Sequence, residues 1–447
     1  MVKYTFKGGI HVNEHKNTAG CHSEMIPSPQ SVCIPLSQHI GAPAVPLVKL
    51  GDKVEIGQKI ADVPADKLGC PIHASISGTV KQIIKKTIPS GALVEHIIIE
   101  NDFENKVSDT IVPFGKAIEE LTTDDVIGFV REAGISGMGG AAFPTYAKIK
   151  SAVGKVDTII INCAECEPFI TANHRLLLEM PELVIEGIRI LVQALGVKNA
   201  IIAIEDNKPD AIKLMRDKLV DDTTISVKVL KTKYPQGDER QLIFALLGRE
   251  IPTGKLPADV GCVIFNAETC ATIDRAYAQG RPSIIRFITV DGDCIKTPKN
   301  LRVPIGTPCS ELIRICGGLV KEPYKLINGG PMMGIAQWDI EMPVTKSTSA
   351  LLLFSEEFGK KKATFEKCIH CGKCIKNCPM HIMPMYIAQY TKIGDIESAE
   401  KYGAMSCVES GSWSYNCPGG VEIVQYIRAA KATIRAEYAR LNALKKN

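Results

Sequence analysis

Near the end of the chain, Cys368, Cys371, Cys374 and Cys378 are separated by two, two and three residues and followed by Pro379. This is the spacing by which three neighbouring thiolates hold one [4Fe-4S] cubane while the fourth reaches a different cluster. A companion run is therefore expected downstream. Cys407, Ser410, Trp413 and Cys417, followed by Pro418, repeat the spacing with two of the four sulfurs replaced. Because ligation crosses between runs, Cys368, Cys371, Cys374 and Cys417 form one complete ligand set. The other site keeps only Cys378 and Cys407. A serine oxygen can replace a thiolate, but the indole nitrogen of Trp413 is a donor only. One [4Fe-4S] cluster is expected, with the second site a remnant.

At 447 residues the chain is too long for one core, and about three domains are expected. The first residues, MVKYTFKGGIHVNEHK, carry no apolar leader, so a cytoplasmic location is expected. Sixteen cysteines in that setting read as metal ligands and small buried hydrophobes rather than as disulfides. A net charge of +4 from 53 basic and 49 acidic residues argues against a nucleic-acid partner. The longest apolar stretch, 183–204, is broken by Glu186, Arg189, Gln193, Lys198 and Asn199. No transmembrane segment is expected, and any membrane association would be peripheral.

Residues 40–100 read as short strands with turns, as in LGDKVEIGQKIAD and SISGTVKQIIKK. From 120 to 280, DTIIIN (157–162), AIIAIE (200–205), ISVKVL (225–230) and CVIFN (262–266) are buried-strand runs separated by helical stretches. That alternation predicts a largely parallel α/β sheet. Helices are expected from Thr123 to Gly134 and from Pro181 to Gly196. Short β segments around a helix at 310–315 fill 285–355, and the charged stretch 355–367 reads as a linker. A last helix over 421–444 would present Ile423, Val424, Ile427, Ala430 and Ile434 on one face, with Lys445 and Lys446 as a solvated end.

A second cluster of signals lies in the α/β part. In AGISGMGGAAFPT (133–145), Gly134, Gly137, Gly139 and Gly140 precede a helix opened by Pro144 and Thr145. Backbone N–H groups of such a loop can approach an anion, and Lys148 lies one turn into the helix. Its alternative is a tight packing turn. NCAECEPFITANHR (162–175) sets Asn162, Glu165 and Glu167 at a strand C-terminal end, where open α/β sheets bind ligands. Cys163 and Cys166 read as packing residues. YPQGDERQ (234–241) and FNAETCATI (265–273) add Glu239, Asn266 and Thr269 at comparable positions.

With FKGGIH, IPLSQHIGAPA and NGGPMMG, these motifs make the whole chain resemble the RnfC family, the C subunits of the Rnf electron-transport complex. Its middle is similar to the flavin-bearing, NADH-oxidising subunit of respiratory complex I. The resemblance implies a multidomain α/β protein with four modules and a C-terminal helix. These are an N-terminal barrel-sandwich domain (1–110), a Rossmann-like FMN/NADH domain (111–283), a β-grasp SLBB domain (284–355) and a helical ferredoxin-type 4Fe-4S domain (356–420), with the helix over 421–447. It implies that Gly137, Gly139, Gly140 and Lys148 cradle the FMN phosphate. Asn162, Glu165 and Glu167 would border the flavin and nicotinamide, and Asn266 and Thr269 would complete the site, with Glu239 and Tyr234 nearby. NADH would pass a hydride to the flavin, which releases electrons singly to the iron–sulfur cluster. Partners would be other electron-transfer subunits of an Rnf membrane complex. The missing relay favours a soluble relative, such as the Rnf-C-like protein associated with proline reductase in anaerobes.

Overall fold

The computed structural model describes residues 2–88, 91–359 and 367–444. Most of the expected linker (360–366) and the terminal Lys445 and Lys446 lie outside the described residues.

Isoleucine- and valine-rich runs in the middle of the chain form strands Thr158–Cys163, Ala200–Glu205, Ile225–Leu230 and Cys262–Asn266. All pair in parallel, in the spatial order third, second, first, fourth. Nearly every residue of the first, second and fourth is buried, as expected when helices cover both faces. The helices have legible ends. Thr122 caps Thr123–Glu132 through a reciprocal bond with Asp125, and Pro181 opens Pro181–Leu195, which stops at left-handed Gly196.

On one side stand two small antiparallel sheets built from residues 31–101, closed around Ile34, Ile60, Ile72, Val80, Ile97 and Ile99. On another stands a six-stranded mixed sheet. It contains Ile285–Asp291, Lys299–Pro304, Lys325–Asn328, Ile335–Gln337 and Ala350–Phe354, plus Ser23–Met25 paired in parallel with Lys299–Pro304. The N-terminal segment thus contributes an edge strand to a sheet almost three hundred residues later.

Before that strand, residues 4–17 form a strap along the C-terminal edge of the parallel sheet. Tyr4 exchanges backbone hydrogen bonds with Val229 and Lys231, and Ile10 does so with Tyr234. The Lys16 ammonium donates to the carbonyls of Glu165, Glu167 and Ile170, using all three of its protons. Lys346 plays a similar part elsewhere. Fully buried, it donates to Pro71 O (2.9 Å) in the small β domain and Gly134 O (2.6 Å) before the glycine loop.

The C-terminal region is helical. Helix Ile423–Leu444 buries Ile423, Ile427, Ala430 and Ile434 against helices Pro384–Lys392 and Ile396–Lys401. Among the described residues no helix is long and apolar enough to cross a membrane.

Candidate functional site

Two constellations emerge, one at the edge of the parallel sheet and one in the helical region. At the first, the register of the parallel strands sets Asn162 directly beside Asn266. The Asn266 side chain caps helix Ala267–Gln279 through Glu268 N, and the glycine loop folds down onto it. A Cβ on Gly139 would lie 2.7 Å from Asn266 Nδ2, so only glycine permits this approach. At Gly140 a Cβ would meet nothing within 4 Å. The loop is therefore pinned on one side and open on the other. Its middle is held by Met138, whose N–H donates to Thr269 Oγ1 (3.2 Å) and whose carbonyl accepts from buried Arg286 (3.1 Å).

Lys148 projects from helix Thr145–Ala152, which the loop opens. Its ammonium donates to Ile264 O at 3.1 Å and lies 5.9 Å from the Phe265 ring centroid. Burial lowers its pKa, and the nearby charge of Glu239 opposes that shift. Ammonium protons beyond the Ile264 bond and the exposed backbone of residues 139–141 suit an anionic group such as a phosphate.

The remaining predicted residues divide. Asn162 spans to the next loop, donating to Gly237 O (2.8 Å) and accepting from Ala164 N (3.0 Å). The Glu165 carboxylate accepts from the N–H groups of Asn173 and His174, at the start of helix Ala172–Glu179. Glu167 accepts from Met332 N (3.0 Å) and Met333 N (2.9 Å), fastening the NGGPMMG loop to the flavin-type domain. Burial pushes its pKa up to about 7. Tyr234 points away from the glycine loop, its hydroxyl donating to Ser410 O at 2.5 Å in the helical region.

In the helical region, Cys368, Cys371, Cys374 and Cys417 all line one cavity of about 390 Å³, with Met385, Ile423 and Tyr426 among its walls. Cys371 is exposed and the other three partly so. The four sulfurs named by crossed spacing thus share one space large enough for a cubane.

The other four positions differ in kind. Cys378, Ser410 and Trp413 have no exposure and Cys407 only 4%. Trp413 belongs to one buried apolar cluster with Cys378, Cys407, Ile387, Ala404, Ile423 and Ile427. Burial raises the Cys378 thiol and pushes Cys407 up to about 12, and it raises Cys374 in the other set as well, so the two sites differ in packing and in donor set rather than in thiol acidity. Two thiols, a serine hydroxyl and an indole, which offers no lone pair, do not supply the four thiolates of a [4Fe-4S] group.

Sequence reasoning missed the strap residue Lys16, the loop anchors Met138 and Arg286, and Lys346. Each of these bonds has a backbone N–H or carbonyl on one side, which leaves no trace in a motif; FKGGIH was a visible signal, without a visible role.

Family comparisons match residues 4–104 to the RnfC barrel sandwich hybrid domain, 130–275 to the Nuo51 FMN-binding domain, 287–336 to the SLBB domain and 364–383 to the 4Fe-4S binding domain. The chain is 42% identical over 435 residues to the C subunit of the Na(+)-translocating ferredoxin:NAD(+) oxidoreductase complex of Acetobacterium woodii, covering 97% of this chain and 98% of that one. It is 43% identical over 441 residues to the C subunit of the proton-translocating ferredoxin:NAD(+) oxidoreductase complex of Clostridium ljungdahlii, covering 98% and 95%. It is 39% identical over 445 residues to the C subunit of the ion-translocating oxidoreductase complex of Rhodobacter capsulatus, covering 98% and 85%. With an FMN-binding domain, an iron–sulfur motif and relatives along nearly its whole length, this chain belongs to the RnfC family of electron-transport subunits.

Proposed function

We propose that the protein oxidises NADH at an FMN seated on the 137–145 loop and delivers the electrons to one [4Fe-4S] cluster held by Cys368, Cys371, Cys374 and Cys417, and on to a protein partner. The observation that carries this reading is the shared cavity of those four cysteines, alongside a second site filled by Trp413. FMN supplies two-electron acceptance and one-electron release; the chain supplies orientation and electrostatics. Gly137, Gly139 and Gly140 bring backbone donors to the phosphate, and Lys148 neutralises its charge. Asn162 and Asn266, side by side at the strand ends, border the ring system, with Thr269 holding the loop through Met138. Glu165, Glu167 and Glu239 shape the rim, the first two by fixing backbone around it.

The relatives are named as members of ion-translocating complexes, and peripheral attachment to such a complex at the cytoplasmic face is the partner arrangement we favour. The filled second site supports another reading, a soluble RnfC-like protein feeding an amino-acid reductase such as proline reductase, because it removes one relay.

Anaerobically purified and reconstituted protein should carry FMN and iron, and NADH should bleach the flavin absorbance. Gly139→Leu, which collides with Asn266, should lose flavin and NADH oxidation while keeping its iron. Iron without flavin in the wild type would identify a non-enzymatic relay or adaptor instead.

A further inference from the structure

The cavity of the four cysteines is lined by more basic than acidic residues. From 367 to 394 the sequence contains Lys367, Lys373, Lys376, Lys392, His370 and His381, and no aspartate or glutamate. Lys367, His370, Lys373 and Lys392 line the cavity, with Glu422 as its single acidic lining residue. Lys367, Lys373, Lys376 and Lys392 stand at the surface or close to it. Elsewhere in the same region lysines are paired, Lys401 with Glu397 and Lys431 with Glu409. Lys367, Lys373 and Lys392 at the cavity, and Lys376 at the end of helix Lys373–Lys376, form no ion pair with a carboxylate among the described residues. Ile369, 57% exposed, lies on the cavity wall, and Ile393, 76% exposed, follows Lys392.

A merely solvated surface mixes signs, because unpaired like charges repel. Here cations ring a concave, thiolate-lined opening, and two bare isoleucines stand beside them. Apolar contact at the centre and charge at the edge is the layout of a transient protein interface. The opposite side of the same region offers no such port, since Cys378, Cys407, Ser410 and Trp413 are sealed against Tyr234, Gln241 and Met332.

We propose that the rim formed by Lys367, Lys373 and Lys392, extended by Lys376 on the same short helix as Lys373, is the docking surface for an acidic one-electron carrier protein. The proposal rests on the cluster assigned above. One electron leaves or enters the cluster as the carrier's own centre gains or loses one, with no bond made and no proton moved. A flat anionic membrane is the poorer match, because it cannot enter a concave mouth, whereas a protruding carrier surface can.

The test uses the reconstituted full chain with flavodoxin as an acidic probe, a basic c-type cytochrome as its opposite, and phosphatidylglycerol vesicles. Flavodoxin should bind, more weakly as salt rises, and the cytochrome should not. The double variant Lys373→Glu/Lys392→Glu should weaken flavodoxin binding about tenfold or more at low salt. Lys85→Glu, on the exposed strand Gly78–Thr87, should leave it unchanged. The rim variant should also retain its iron, and its cluster midpoint potential should shift little, separating docking from tuning of the cluster. Equal flavodoxin binding by wild type and the rim variant, preference for the cytochrome, or rim-dependent capture by vesicles alone would overturn the proposal. Iron analysis of the same samples reports on the parent reading: iron-free protein would sink the cluster, while iron-loaded protein that ignores flavodoxin sinks the docking surface.

Discussion

The two cysteine runs share one spacing and end in opposite environments. Cys368, Cys371, Cys374 and Cys417 stand around an open cavity, whereas Cys378, Cys407, Ser410 and Trp413 are packed dry in a hydrophobic core. The dry half is also where other domains meet the helical region. Tyr234 reaches Ser410 O, Gln241 reaches Met380, and Gly9 N donates to Asn377 O. A Cβ on Gly411 would lie 2.8 Å from Met332 O, and one on Gly8 would lie 2.7 Å from Cys378 O. Where a cluster would organise the chain, packing does so instead. The difference teaches that one spacing of positions can serve either an open thiol-lined cavity or a packed core that joins domains.

The contrast is most sharply broken by removing sulfurs. Cys374→Ala or Cys417→Ala should reduce iron from about four per chain to almost none after anaerobic reconstitution. Cys407→Ala should leave iron unchanged and cost roughly 1 kcal/mol in denaturant unfolding. Loss of iron in the latter variant would return a ligand role to the dry half. Trp413→Ala should be the most destabilising single change there, by about 3–5 kcal/mol, because it empties the largest fully buried side chain. Ser410→Cys/Trp413→Cys restores four thiols and vacates the indole, so iron content should rise above the wild-type value. An unchanged value would mean that the surrounding packing, not only the ligand set, excludes a cluster.

A smaller effect is expected where Glu167 holds the 330–333 loop against the flavin-type domain. Burial raises its pKa from 4.5 to about 7, so the folded chain keeps this proton more tightly than the unfolded chain. The contribution is complete below about pH 4.5 and is lost as pH rises through about 7. Glu167→Gln, always neutral, should remove that slope. It should be about 1–3 kcal/mol more stable than wild type near pH 8 and indistinguishable near pH 4. An unchanged pH profile of unfolding would place the titration elsewhere.

Much of this was legible in the residues. The four parallel strands follow from runs such as AIIAIE, and the ends of Pro181–Leu195 follow from Pro181 and Gly196, since both signals act within one element. The grouping of Cys368, Cys371 and Cys374 with distant Cys417 was expected from the spacing, and the fold places these four around one cavity. Glu165 was less legible. It was expected at the nicotinamide, and its carboxylate is engaged with the start of Ala172–Glu179. Strand-end position alone does not distinguish a carboxylate facing a ligand from one capping a helix.

The sequence by itself thus determined the element types and the position of the glycine loop, both products of local spacing and residue chemistry. Only the tertiary structure decided that Ser23–Met25 joins a distant sheet, that Lys16 and Lys346 tie domains together, and that Tyr234 ends at Ser410 rather than at the glycine loop. The physical reason is common to them. Their partners are backbone N–H and carbonyl groups, which nearly every residue carries, so nothing in the sequence marks them until the chain has folded.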